Sequence, residues 1–138
     1  MKSINEIASR LNSQTPAILP VDDVHRAAVA ALLCENAGAL ELLFIERATI
    51  KEDPWSGHIA FPGGRKEDAD ADVRETAERE TLEELGLDLG TGRYLGQLDD
   101  LSANIAAIIV VHKYLYNFLI PIFLLLVFYI NPLSFDQY

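Results

Sequence analysis

FPGGRKEDADADVRETAERETLEELGL, residues Phe61 to Leu87, is the stretch on which the reading of this chain turns. It passes from a Gly63-Gly64 turn through an acidic loop into a helix crowded with glutamates. Asp72 is a good N-cap with Glu75 three residues on, where a capping box places its acid, and Gly86 is a natural stop. Within the helix, Glu75 with Arg79 and Arg79 with Glu83 are spaced i,i+4, which predicts ion pairs that hold Arg79 rigid. Glu80 and Glu84 have no such partner. At about 100° per residue they project within roughly 40° of each other, with Glu83 on the adjoining edge, so three carboxylates converge near the helix's negative end. Like charges at that spacing cost roughly a few tenths of a kcal/mol. A bound divalent cation reverses the sign of that energy, and hard oxygen ligands on a rigid helix suit Mg²⁺ or Mn²⁺.

The competing reading is a solvated acidic helix. Two local features weigh against it. Val73, Ala77, Leu82 and Leu85 give the helix an apolar side to bury, and the bare Gly63-Gly64 backbone after an apolar segment can approach the same cation.

Arg79-Glu80-Thr81-Leu82-Glu83-Glu84-Leu85-Gly86-Leu87 resembles the REUxEExGU core of the Nudix hydrolase box. Thr81 stands where an aliphatic residue is usual, Asp70 replaces the box's first acid, and the spacing from Gly64 to Arg79 is one residue longer than the family's. This longer form, with FPGG ahead of it, resembles the coenzyme A pyrophosphatase-like branch. That branch usually reads RSxxLRxHxGQVxFPGG upstream, of which Arg47-Ala48-Thr49 and Trp55-Ser56-Gly57-His58 keep only part. The likeness is specific over residues 57 to 87, weaker over 25 to 56, and fails near the C-terminus.

The resemblance implies an α/β fold, a Nudix-like α/β/α sandwich with a mixed β-sheet and an atypical or truncated C-terminal part. It also implies metal-dependent hydrolysis of a nucleoside diphosphate linked to another moiety, with coenzyme A or a related adenine-containing diphosphate as the expected substrate. Glu80, Glu84, Glu83 and the Gly64 carbonyl are the expected ligands of Mg²⁺ or Mn²⁺. Glu83 and Arg79 are assigned to catalysis, Arg79 by orienting the glutamates. Arg47, His58 and Gly63 are assigned to the substrate. Many family members take the general base from a carboxylate downstream of the box, yet no Glu follows Glu84 and only Asp88, Asp99, Asp100 and Asp136 remain. Either Glu83 serves or the base is missing. The alternatives are a nucleotide-binding or regulatory module with little turnover, and a nucleotide-sugar or dNTP pyrophosphohydrolase.

Composition bounds these readings. With 138 residues, half of them apolar, a single domain spanning 1–138 is expected. The formal net charge is −10, and all 21 acids but Asp136 precede Leu101, which argues against nucleic-acid binding. Locally held metal ions still let an acidic protein take a polyphosphate. Cys34 lies alone in an apolar run, compatible with a reducing cytoplasm, and no apolar signal-like region follows Met1-Lys2.

Taken in order, residues 3 to 12 predict a short helix with an Ile4, Ile7, Ala8 and Leu11 stripe, and Thr15 to Pro20 an extended connection. Ala27–Cys34 and Leu40–Arg47 predict a β-hairpin across the Glu35–Gly38 cluster. Arg47 is then either turned to substrate phosphate or solvated. Trp55 is read as a base-stacking residue or a loop plug, and His58 to Phe61 as a short strand that delivers the chain to the glycines. Arg93 to Leu98 and the run IAAIIVV from Ile105 predict further strands. Residues 113–138 form an atypical hydrophobic tail. The uncharged stretch 114–135 has a bilayer's length, roughly 20 residues, but Pro121, Asn117 and Asn131-Pro132 interrupt it. A cytoplasmic protein that self-associates through this tail is expected, with membrane anchoring as the alternative.

Overall fold

The structure is a computed structural model that describes residues 4–20, 25–36, 39–52, 54, 56–103 and 107–115. Helix α1 (Ile4–Asn12) precedes strands β1 (His25–Asn36), β2 (Ala39–Leu43), β3 (Ile45–Glu46), β4 (Ile59–Ala60) and β5 (Gly63–Arg65). Helix α2 (Val73–Leu85), a 3₁₀ turn (Leu89–Thr91) and strands β6 (Arg93–Gln97), β7 (Leu101–Ala103) and β8 (Ala107–Leu115) follow.

Strand β1 is the organising element. Its C-terminal half pairs antiparallel with β2 and its N-terminal half with β5 on the same edge, while its other edge runs parallel to β8 from His25 to Leu33. Strands β6 and β7 pair antiparallel with β8, so the sheet is mixed, as expected. A parallel pair needs a long crossover, and here the crossover carries α2, which lies against β1 and β5. The β1 sequence allows that close packing because Ala28, Ala30 and Leu32 form an almost featureless, fully buried surface under the helix. Helix α1 packs along β6, with Ala8 buried and Arg93 Nη1 3.3 Å from Asn5 Oδ1.

Three expectations change. The second hairpin strand ends at Leu43, and after a break at Phe44 the chain pairs Ile45 with Ala60 and Glu46 with Ile59 in a separate two-stranded sheet. Gly63-Gly64 is a strand, not a turn. A Cβ on Gly63 would stand 2.2 Å from the Ala28 carbonyl oxygen, so glycine is there for close approach of two backbones. On α2, Leu82 is 51% exposed, whereas Thr76 and Thr81 are fully buried. Thr81 sits about 40° around the helix from buried Ala77 and Leu82 about 140°. Thr81 satisfies its hydroxyl by donating to the Ala77 carbonyl at 2.7 Å, which is how a polar residue fills the aliphatic slot of the motif.

Strand β8 runs past the expected apolar run to Leu115, with Tyr114 wholly buried. Tyr114 and Leu115, read above as the start of a bilayer-length stretch, are therefore sheet residues. The remainder of 114–135 lies outside the described residues, as do Ser3 and Trp55. No described helix is long and apolar enough to cross a membrane.

Candidate functional site

Local chemistry fixes both ends of α2. Asp72, in extended conformation, accepts the Glu75 N–H at 2.8 Å, and Gly86, at φ 67°, donates its N–H to the Leu82 carbonyl. Glu75 spends its own carboxylate on the Ala71 N–H, so the expected Glu75–Arg79 pair does not form.

Arg79 is instead held from the acidic loop that precedes the helix. Its Nε and Nη2 donate to the two oxygens of Asp70 at 2.8 and 3.0 Å, and Nη2 also donates to the Arg65 carbonyl. Its Nη1 reaches Glu80 Oε1 at 3.1 Å and Glu83 Oε2 at 3.4 Å. Asp70 is buried and accepts further bonds from the Thr76 hydroxyl and the Glu67 N–H. The Arg79 hydrogen bonds above all hold its carboxyl well below the usual carboxylate range, against the opposing effect of burial. An acid whose folded pKa is depressed adds stability that is present above its unfolded pKa, about 3.9, and is lost as pH falls towards the folded value. Asp70→Asn is therefore expected to lower stability at pH 7 by about 2 kcal/mol, below the range for a fully buried pair because Arg79 is partly exposed. It should also flatten the fall of stability between about pH 5 and pH 2. Urea denaturation at pH 7 and pH 4 checks both; an unchanged slope below pH 5 would contradict the assignment.

Glu80 and Glu84 meet the glycines. Glu84 Oε2 accepts the Gly63 N–H at 3.2 Å. Glu80 is 7% exposed, with its carboxyl so close over Gly64 that a Cβ there would stand 2.3 Å from Oε1. Burial pushes the Glu80 carboxyl above its ordinary range, with Arg79 opposing. Glu84 is pushed up to about 8, chiefly by burial and further by Glu80, with the Gly63 N–H and the Arg47 charge opposing. A buried and a half-buried acid carrying that penalty beside bare backbone are a donor set that a hard cation relieves. Mg²⁺ in particular is held by one or two carboxylates while keeping several waters. Gly64 lies opposite Ala28 in the β1–β5 ladder, and a ladder carbonyl retains a second lone pair for such an ion.

Glu83 is placed differently. Its side chain is 59% exposed and turned to Arg79, one helical turn back, so the three expected carboxylates do not meet. Among the described residues no three His, Cys, Asp or Glu side chains are gathered to hold a metal ion.

Arg47 is buried, not solvated, and its charge acts on Glu84. Its N–H donates to the His58 carbonyl and its carbonyl accepts from Gly57 N–H, which close the base of the intervening loop. Ser56 adds a second closure: its hydroxyl accepts from the Ile50 N–H and has the Ala48 and Ile50 carbonyls within reach of its single proton. The His58 side chain is exposed. Every downstream aspartate that the structure describes has a structural partner. Asp88 accepts from Gly90 N–H, Asp99 from Ala17 N–H, and Asp100 from Leu19 N–H and Arg26 Nη1. Asp136 lies outside the described residues.

Residues 24–119 match the NUDIX domain family. Among curated proteins, the human mitochondrial coenzyme A diphosphatase NUDT8 is 46% identical over 61 residues, 44% of this chain and 26% of that protein. The uncharacterized Nudix hydrolase NudL of Yersinia enterocolitica is 28% identical over 105 residues, 75% of this chain and 52% of that protein. The chain thus spans about half or less of the length of these curated relatives. Among solved structures, a C. elegans Ap4A hydrolase binary complex superposes with a TM-score of 0.56 at 20% identity, covering 70% of this chain and 69% of that one, a likeness of fold.

Proposed function

Because the chain belongs to the Nudix family, we propose that it hydrolyses the pyrophosphate bond of a nucleoside diphosphate joined to another moiety, with coenzyme A or a related adenine-containing diphosphate as substrate. The observation that carries this reading is the seating of Glu80 and Glu84 on Gly63 and Gly64, where β5 pairs with the N-terminal half of β1. Glu80, Glu84 and the Gly64 carbonyl are the groups that would hold Mg²⁺ or Mn²⁺. Such an ion supplies Lewis-acid polarisation of the diphosphate and a more acidic water.

The chain's own residues do the rest. Arg79, fixed by Asp70, orients Glu80 and Glu83 through its Nη1. Arg47 brings a guanidinium charge to the Glu84 side of the site, where diphosphate oxygens need a cation. Glu83, exposed and tethered by Arg79, is the carboxylate in a position to take the proton of an attacking water. Positioning and charge stabilisation then carry most of the rate.

Coenzyme A is favoured over a nucleoside triphosphate by the long-form box with its leading FPGG and by the likeness to the human coenzyme A diphosphatase. The expected result is a higher kcat/KM for coenzyme A than for any dNTP in a panel that also holds dinucleotides and nucleotide sugars, with Mg²⁺ or Mn²⁺ present. A clear dNTP preference would overturn the substrate assignment. One observation favours a second reading, a nucleotide-binding module with little turnover: Asp88, Asp99 and Asp100 are all engaged elsewhere. Binding of these nucleotides without metal-dependent cleavage of the diphosphate, read as release of the 5′-phosphorylated nucleoside product, would select it.

A further inference from the structure

We propose that Tyr114 is a positioning residue for the Glu80 and Glu84 pair, acting through Glu78 on the roll of α2 about its own axis. The proposal rests on the metal-dependent reading above. It starts from how thinly α2 is anchored by apolar contact. The buried residues on the helix are Thr76, Ala77, Glu80, Thr81 and Leu85, and Leu82 is turned to solvent. One Leu, one Ala and two Thr bury little apolar surface, so polar ties decide which way the helix faces.

On one flank those ties are Arg79 to Asp70 and Glu84 to the Gly63 N–H. The opposite flank is held from the sheet. The Tyr114 hydroxyl donates to Glu78 Oε1 at 2.8 Å, and Arg74 Nε donates to the same oxygen at 2.9 Å. The Arg74 guanidinium in turn lies over the Tyr94 ring, 4.0 Å from its centroid. The Tyr94 ring packs against Tyr114 at 5.2 Å, and its hydroxyl is 3.0 Å from His112 Nδ1. The circuit closes on β6 and β8, and Tyr114 itself is wholly buried on a strand paired along its length with β1. Glu78 and Glu80, two residues apart, project about 160° from each other around the helix. A tie at Glu78 therefore opposes, from the other side, any roll that would lift Glu80 and Glu84 off the glycines.

Tyr114→Phe removes the hydroxyl and keeps the ring, so the core stays filled. The expected result is Mn²⁺ binding, measured directly by calorimetry well below the melting temperature, weakened roughly tenfold, the lower end of what outer partners contribute to a metal site. Amide exchange along α2 in the metal-free protein should also accelerate. Glu78→Gln keeps an oxygen that accepts from Tyr114 and should bind Mn²⁺ nearly as wild type, whereas Glu78→Ala should match Tyr114→Phe. A Tyr114→Phe protein that melts lower but keeps wild-type Mn²⁺ affinity and α2 exchange would overturn the positioning role and leave the metal site standing. A wild-type protein that binds no Mn²⁺ would overturn the metal site, and this role with it.

Discussion

Glu84→Gln is expected to lose metal-dependent turnover by about a hundredfold or more while folding normally. The substitution removes a ligand charge but keeps side-chain size, helix propensity and an oxygen that accepts from the Gly63 N–H. Stability should move the other way. An acid whose folded pKa is raised contributes stability that is present below its unfolded pKa, about 4.3, and is lost as pH rises through the folded value. With Glu84 pushed up to about 8, the metal-free wild type carries that loss at neutral pH and the Gln variant does not. The variant should thus melt at or above the wild-type temperature at pH 7.5 without metal, and the advantage should vanish near pH 4. Kinetics at limiting and saturating Mg²⁺, with melting curves at both pH values, check the pair of outcomes. Wild-type activity at limiting Mg²⁺ would sink the ligand assignment.

The two glycines under the glutamates should respond in opposite ways to the same added methyl. At Gly63 a Cβ meets backbone, 2.2 Å from the Ala28 carbonyl oxygen and 2.6 Å from Val29 Cα, at a φ of +156°. Neither neighbour can yield without opening the β1–β5 pairing, so Gly63→Ala is expected to cost about 3 kcal/mol or more. At Gly64 the methyl meets the Glu80 carboxyl at 2.3 and 2.4 Å, the far end of a side chain that can rotate aside at the expense of its Arg79 bond. Gly64→Ala should cost about 1–2 kcal/mol, less than Gly63→Ala, yet it displaces a proposed ligand, and activity should fall about tenfold or more. Urea midpoints together with kcat/KM separate the two. A Gly63→Ala protein with the wild-type midpoint would show that the strands do not approach as described.

What the sequence made legible follows the range over which its signals act. The ends of α2 are written in Asp72 and Gly86 because capping involves residues within one turn. Strand β1 is visible as a continuous apolar run, but a count of apolar residues put Leu82 on the buried side of α2 and passed over Thr81, which fills that place. Of the two partners expected for Arg79, Glu83 pairs with it and Glu75 does not, while its shortest contact, Asp70, escaped the reading for the same reason. Spacing of four along a helix sees Glu75 and Glu83, but Asp70 arrives from a loop that folds back beside the helix start, which periodicity cannot express. The Gly63-Gly64 pair looks like a turn in isolation, and only β1 passing alongside makes it a strand. Burial of Arg47 depends on the loop closing onto His58 and Gly57, a contact with no local signature. Strand β7 is three residues long and exists through its pairing with β8.

The parallel pairing of β1 with β8 also orders events in time. His25 pairs with Ala107, so 107 − 25 = 82 residues separate the two strands in the chain. At roughly 5–20 residues per second, a ribosome needs about 4–16 s to add them. Through that interval β1 has β2 and then β5 along one edge, while the other edge, an alanine- and leucine-rich row of unpaired amides, faces the nascent-chain environment. The glutamate helix is likewise complete before the strand that bears Tyr114 has been made. Such an edge is a template for wrong pairing, so conditions of synthesis, more than the stability of the finished domain, should govern how much of this protein is recovered folded. Slower elongation between β5 and β8 would lengthen the exposure, and a chaperone that covers extended apolar segments would act at this stage.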